Sequence, residues 1–459
     1  MAIPLLLGVF VYYLLLKAGG YDLNLFVTIS LLILTSSDLN VVLRFGIIAW
    51  AAASLSWFAY SNYIREKEQA GLPPALIYFV IFTVLSLLFS SIFSGNPVKG
   101  LSATGRQFIF FGFVFLIYKN ITGFKEMIIL VSTVILAGFV TSSGVLYNLI
   151  TQGLIVLLAS EAPIRVTGIF ANINVAGGTI AVALLALFFS FFMKNKKSAF
   201  SKLFTVFLFF FLFVGLVLTN SRAALLTFVL GSATFILIVY PNLRLKFILS
   251  LSVFILAVLF IPPVNEFFSF FLRFEKFLNI RDHLWTMSWE TIKANPFFGA
   301  GPDQFKDFFF KYITAPSGSY AEFMIKKLYT DAGDTGLSHN FFIFRTTELG
   351  IPGLITALWL PGLFIYFGSK VATKMRSVDW NGFILVTGAL SVGIGLFARG
   401  FFESIGLLTH GWLMVDLPFW ICFMIILFYY HRAFFDQTKI LKNSPSHNRD
   451  ASLSESTED

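Results

Sequence analysis

The stretch Leu203-Phe-Thr-Val-Phe-Leu-Phe-Phe-Phe-Leu-Phe-Val-Gly-Leu-Val-Leu-Thr-Asn-Ser-Arg-Ala-Ala-Leu-Leu-Thr-Phe-Val-Leu-Gly-Ser-Ala-Thr-Phe-Ile-Leu-Ile-Val-Tyr240 carries one charged side chain, Arg222, between two apolar runs. Each run, near 201–219 and 222–240, approaches the roughly 20 residues a helix needs to cross hydrocarbon. The runs read as two membrane helices joined by the short connection Thr219-Asn-Ser-Arg222, not as alternating strands of a barrel. Similar runs lie near 2–17, 22–37, 40–60, 73–93, 101–119, 127–150 and 172–193 before this pair, and near 246–262, 341–368, 381–400 and 407–430 after it. The expected fold is an all-α polytopic membrane protein with about 12 or 13 transmembrane helices. The count turns on the first two runs, where Lys17-Ala-Gly-Gly-Tyr-Asp22 is either a true turn or the interruption of a re-entrant hairpin.

Composition points the same way. Hydrophobic residues make up 57% of the 459 and charged residues 12%, against roughly 25% charged in globular chains. The first run has no basic segment before it and no small-residue cleavage site after it, so it reads as a helix kept in the chain. A lone cysteine, Cys422, excludes an internal disulfide and a cysteine metal site. The net charge of +9 sits in short loops between spans and not on an aromatic-rich soluble module. Anionic lipid headgroups and membrane topology account for it better than nucleic acid does.

If the spans alternate, the basic loops at Arg65-Glu-Lys67, Lys119 to Lys125, Lys194 to Lys202, Arg244 to Lys246 and Lys370 to Arg376 share one side, which the positive-inside rule makes cytoplasmic. Four regions follow: helices 1 to about 10 with short loops over 1–262, a large external loop over 263–340, the last helices over 341–430, and a disordered cytoplasmic tail over 431–459. Within the loop, Arg281 to Ala294 is expected to form an amphipathic helix that stops at Asn295-Pro296. Gly299 and Gly301 then suggest a tight turn held under that helix.

Arg165, Arg222 and Arg281 stand at or just beyond the external ends of helices. Arginine close to hydrocarbon is costly and tends to face a polar cavity, although a single one can also snorkel to headgroups. Guanidinium forks remain charged at any working pH and suit phosphate. His339 sits at the last polar step before the span at Phe341, with Asn340 beside it, and can serve as a general base or as an interfacial cap. Glu348 is about 2.5 helical turns from His339, off its face, and is expected to pair with an arginine inside the bundle. The chain has no HExxH, Walker or GxSxG motif and no external DxD. Asp331 and Asp334 read as turn residues, so a metal-free reaction on a lipid-borne substrate fits this set.

Several segments occur in an order that points to a family: Thr167-Gly-Ile-Phe-Ala-Asn-Ile-Asn174, Asn220-Ser-Arg-Ala-Ala-Leu-Leu226, Arg281 to Trp289, Asn295-Pro-Phe-Phe-Gly-Ala-Gly301, and His339-Asn-Phe-Phe-Ile-Phe-Arg-Thr-Thr-Glu-Leu-Gly350. From about residue 100 to 430 the chain resembles the O-antigen ligase and polymerase superfamily. It departs from it at Asn172-Ile-Asn174, where the family often has Asn-Pro-Asn.

The resemblance implies a GT-C-like membrane glycosyltransferase. Such an enzyme moves an oligosaccharide from an undecaprenyl diphosphate carrier to an acceptor at the outer face of a bacterial inner membrane, without nucleotide sugar, metal or other cofactor. It implies that Arg222 and Arg281 bind the diphosphate, with Arg165 at a looser match, and that His339 contacts the acceptor hydroxyl or the leaving phosphate. Transfer to lipid A-core in lipopolysaccharide biosynthesis is the leading expectation. Polymerisation of repeat units on the carrier and protein O-glycosylation are rivals, and a lipid-linked glycan transporter is the alternative of another class. The long loop is then half of a site, a lid over a phosphate-binding cavity floored by the helices.

Overall fold

The computed structural model describes residues 20–35, 41–65, 71–151, 165–170, 172–194, 198–272, 281–309, 312, 316–320, 322–323, 326 and 338–436. Among these residues the chain is all-α. Its helices are α1 (Gly20–Leu34), α2 (Val41–Ile64), α3 (Pro74–Ile92), α4 (Pro97–Lys119), α5 (Phe124–Thr151), α6 (Ile173–Ser190), α7 (Ala199–Thr219), α8 (Arg222–Val239), α9 (Arg244–Phe260), α10 (Pro262–Leu272), α11 (Arg281–Ala294), α12 (Phe305–Phe309), α13 (Phe341–Met375), α14 (Trp380–Gly400) and α15 (Leu413–His431). Eleven of the described helices are long and apolar enough to cross a membrane, and α1 is a shorter apolar helix. The protein is a multi-pass membrane protein. The expected span at 2–17 and the pair Asp331 and Asp334 lie outside the described residues.

Helix α14 occupies the centre, packed against α6, α8, α13 and α15. Small residues let it do so, because lipid offers helices little hydrophobic reason to associate and close backbone approach takes its place. A Cβ on Gly393 would meet the Phe364 ring at 2.1 Å, and one on Gly388 would meet the Phe189 ring at 2.5 Å. Helix α9 lies at the other extreme, packed on α10 and with no buried side chain.

Loop contacts separate into two ends, as alternating spans require. At the basic end Tyr21, Asn62 and Asn120 share hydrogen bonds, Lys125 pairs with Asp22, and the Lys194 amide donates to Asn381. At the opposite end Asn96 bonds Gln304, the Val166 amide donates to Leu218, and the Arg281 region meets residues 401–412.

Three expectations are corrected here. The last span begins at Leu413, not near 407: residues 401–412 look apolar, but the left-handed backbone of His410, Gly406 and Gly411 breaks the helix. The chain stays helical past Tyr430, through His431 and a π turn at Arg432–Asp436, before the described residues end. The Asn295–Gly301 turn docks on α13 and not under α11. There α13 breaks at Gly350 (φ 65°, ψ −150°), and the amides of Ala300 and Gly301 donate to the carbonyls of Thr347 and Glu348, each at 2.9 Å. Ser90 adds a bond to the Glu348 carbonyl, and the Ile351 amide donates to Pro296. A helix break at membrane depth is tolerated only when freed backbone groups find such partners.

Candidate active site

Four helices begin at one place. Arg222 is the first residue of α8 and Arg281 the first of α11. Asn174 lies in the first turn of α6 behind the cap Asn172, and His339 immediately precedes the α13 cap Asn340. Helix starts carry unpaired N–H groups and the positive end of the macrodipole, so their convergence favours an anion. Local sequence explains each start. Left-handed Asn220 (φ 46°) ends α7 and turns the chain so that α8 begins two residues later. Ile173 occupies the first position of α6, where the missing backbone donor of a proline would do no harm, so the departure from Asn-Pro-Asn keeps the same cap.

The group at the centre is Glu403, buried on the 401–412 loop. Its Oε1 accepts from Arg281 Nη2 at 2.8 Å and Asn174 Nδ2 at 2.7 Å. Its Oε2 lies 3.2 Å from His339 Nδ1. Burial alone would raise the carboxyl pKa, but His339, Arg281 and Arg399 outweigh it and hold the group below its ordinary range. Part-buried Arg222 interacts electrostatically with Arg281, Arg165 and Glu403, and exposed Arg165 with Arg281 and Glu403. Four guanidinium groups, those of Arg165, Arg222, Arg281 and Arg399, therefore act on one carboxylate, leaving a positive surplus.

Supporting bonds fix this geometry. Trp285 Nε1 donates to the Ser338 carbonyl at 3.0 Å, tying α11 to the residue before His339. Arg399, buried in α14, donates to the carbonyls of Asn174 (2.7 Å) and Ile405 (3.2 Å), anchoring the 401–412 loop to α6. It passes Gly178, where a Cβ would lie 2.9 Å from the guanidinium. Ser221 Oγ donates to Asn174 Oδ1 at 2.9 Å.

Arg165, Arg222, Arg281 and His339 are thus brought to one end of the bundle, with Asn340 adjacent. The Asn340 side chain caps Ile343 and donates to the Phe401 carbonyl, so its polar atoms serve the fold. Sequence reasoning missed Asn174, Arg399 and Glu403. A signal was present in Arg399 and Glu403, an oppositely charged i,i+4 pair at the end of a span, where ionisable groups are rare.

The family model described as O-antigen ligase matches residues 207–358, which include Arg222, Arg281, His339 and the Asn295–Gly301 turn. The match spans about a third of the chain, and over this segment the chain is similar to O-antigen ligases. No curated protein matches the chain. The family comprises membrane glycosyltransferases, ligases or polymerases that act on lipid-linked glycans. Arg165 and Glu403 lie outside the matched segment.

The same end of the bundle holds a second carboxylate–histidine pair. Glu348 on α13 bonds His410 Nε2, and both are sealed from solvent. The expected arginine partner is replaced by His410, because Glu348 lies on the face of α13 that meets the 401–412 loop. Arg345, one turn back, acts on Glu348 through its charge and bonds Thr356. Asp303, Glu348 and His410 offer atoms within 4.8 Å of one another. Asp303 is already paired with Arg106 and Glu348 with His410, which makes the cluster a clamp between the turn, α4 and α13.

Proposed function

We propose that the chain is an O-antigen ligase that transfers an oligosaccharide from undecaprenyl diphosphate to lipid A-core, at the periplasmic face of a bacterial inner membrane. The observation that supports this reading best is the convergence of four helix starts and three arginines on one partly exposed end of the bundle, an arrangement suited to a diphosphate. Arg222 and Arg281, with Arg165 at the rim, would hold the diphosphate. Negative charge grows on this leaving group as the glycosidic bond breaks, so fixed cations aimed there stabilise the transition state more than the ground state. His339 takes the proton from the acceptor hydroxyl as the new C–O bond forms at the anomeric carbon. The bond to the diphosphate breaks with its electron pair, and configuration inverts. The guanidinium groups supply the countercharge that a metal would otherwise bring.

The loop over 263–340 acts as the lid in this scheme, between the helices of 1–262 and 341–430, with 431–459 as a cytoplasmic tail. Lipid A-core is the preferred acceptor because the chain has one large external loop, late in sequence. The test is to give purified protein a polyprenyl diphosphate glycan with either lipid A-core or a second carrier-linked repeat unit, and to weigh the products. A lipid A-core conjugate is expected. A lengthened carrier-linked glycan identifies a polymerase, and no transfer to either acceptor contradicts the reading.

A further inference from the structure

We infer that Glu403 is a positioning residue that sets the tautomer of His339 and moderates the positive charge of the diphosphate site. The inference rests on the function proposed above and adds a role for a side chain outside the family match.

An ionised carboxylate only accepts hydrogen bonds. The contact between Glu403 Oε2 and His339 Nδ1 therefore puts the ring proton on Nδ1 and leaves Nε2 as the acceptor. The His339 side chain keeps 22% of its surface and Glu403 only 2%, so the histidine is reached from outside and the carboxylate is not. When Nε2 takes the acceptor proton, the resulting imidazolium already faces a negative charge, and the proton stays on the imidazole. The other oxygen, Oε1, holds Arg281. One carboxylate thus fixes the base and a phosphate-binding cation relative to each other.

The same position makes Glu403 an electrostatic competitor of the donor. It offsets part of the charge of Arg165, Arg222 and Arg281, each of which interacts with it. Glu403→Gln should then slow transfer while leaving anion binding as strong or stronger. A carboxylate that served only the fold would, when neutralised, weaken both.

The measurements are kcat and donor KM for wild type, Glu403→Gln and Glu403→Asp, with calorimetric binding of inorganic pyrophosphate and a melting curve for each protein. For Glu403→Gln the expected result is a kcat reduced about 100-fold, with pyrophosphate bound at least as tightly as by wild type. An unchanged kcat, or a parallel loss of kcat and pyrophosphate affinity, overturns the inference. If Glu403→Gln does not fold, Glu403→Asp decides: it keeps the charge but withdraws the oxygen from Nδ1, so wild-type pyrophosphate affinity with reduced kcat is expected. Weakened binding with unchanged kcat overturns it. Failure of the underlying functional reading looks different. Wild type itself would transfer no glycan, and Arg222→Ala and Arg281→Ala would bind pyrophosphate as wild type does; the inference would fall with it.

Discussion

Among the described residues the bundle holds two carboxylate–histidine pairs at the same end, Glu403 with His339 and Glu348 with His410, and they differ in what surrounds them. Around Glu403 stand four arginines, four helix starts and a histidine with part of its ring exposed. Around Glu348, His410 and Arg345 are buried and Asp303 is half-buried, and the Asn295–Gly301 turn closes over the break at Gly350. The same chemical pair is left open toward a ligand in one place and sealed as a clamp in the other. Surplus charge and access separate a site from a brace; residue type does not.

The comparison breaks most sharply at the arginines. Arg281→Ala or Arg222→Ala should lower transfer by roughly 10²–10³ at constant melting temperature, since each removes a cation aimed at developing charge. Transfer assays on folded variants check this, and near-wild-type rates would dissolve the distinction between the two regions.

The histidines give the next contrast. His339→Ala should lower kcat by about 10²–10⁴ with little change in stability. His410→Ala should do the reverse: it strands a buried carboxylate, for which about 3–5 kcal/mol is typical, while the folded fraction keeps its kcat. Melting curves beside kinetics separate the cases, and matching phenotypes would contradict them.

Gly350→Ala tests the sealed region further. The residue sits at φ 65°, and a Cβ would lie 2.5 Å from the Phe297 carbonyl carbon. A loss of about 1–3 kcal/mol is expected from the strain, read as a lower melting temperature. A smaller effect is expected from pH. The folded Glu403 pKa is depressed below its ordinary value of 4.5. Its contribution to stability is therefore full above about pH 4.5 and is lost as pH falls through the lower folded value. Acid melting curves of wild type should steepen there, and those of Glu403→Gln should not.

Much of the fold was legible because lipid imposes one rule on every segment: long apolar runs must be helices. The described helices follow the expected spans closely, from 73–93 (Pro74–Ile92) to 381–400 (Trp380–Gly400). The arginines stood out because charge is conspicuous against such a background. Glu403 did not, since Phe401-Phe-Glu-Ser-Ile-Gly-Leu-Leu reads as the edge of a span, and its importance arises from three partners distant in sequence: Asn174, Arg281 and His339. Nor did the clamp, because Glu348 meets His410 62 residues away on a loop whose left-handed backbone at His410 no periodicity signals.

The central claim is that the Glu403 end of the bundle binds a diphosphate through its arginines. The direct measurement is the affinity of purified protein for undecaprenyl diphosphate, across a range of salt, in wild type and in Arg222→Ala/Arg281→Ala. A salt-sensitive affinity in wild type, reduced at least about 100-fold in the double variant, is the predicted result. Equal affinity in the two proteins would contradict it.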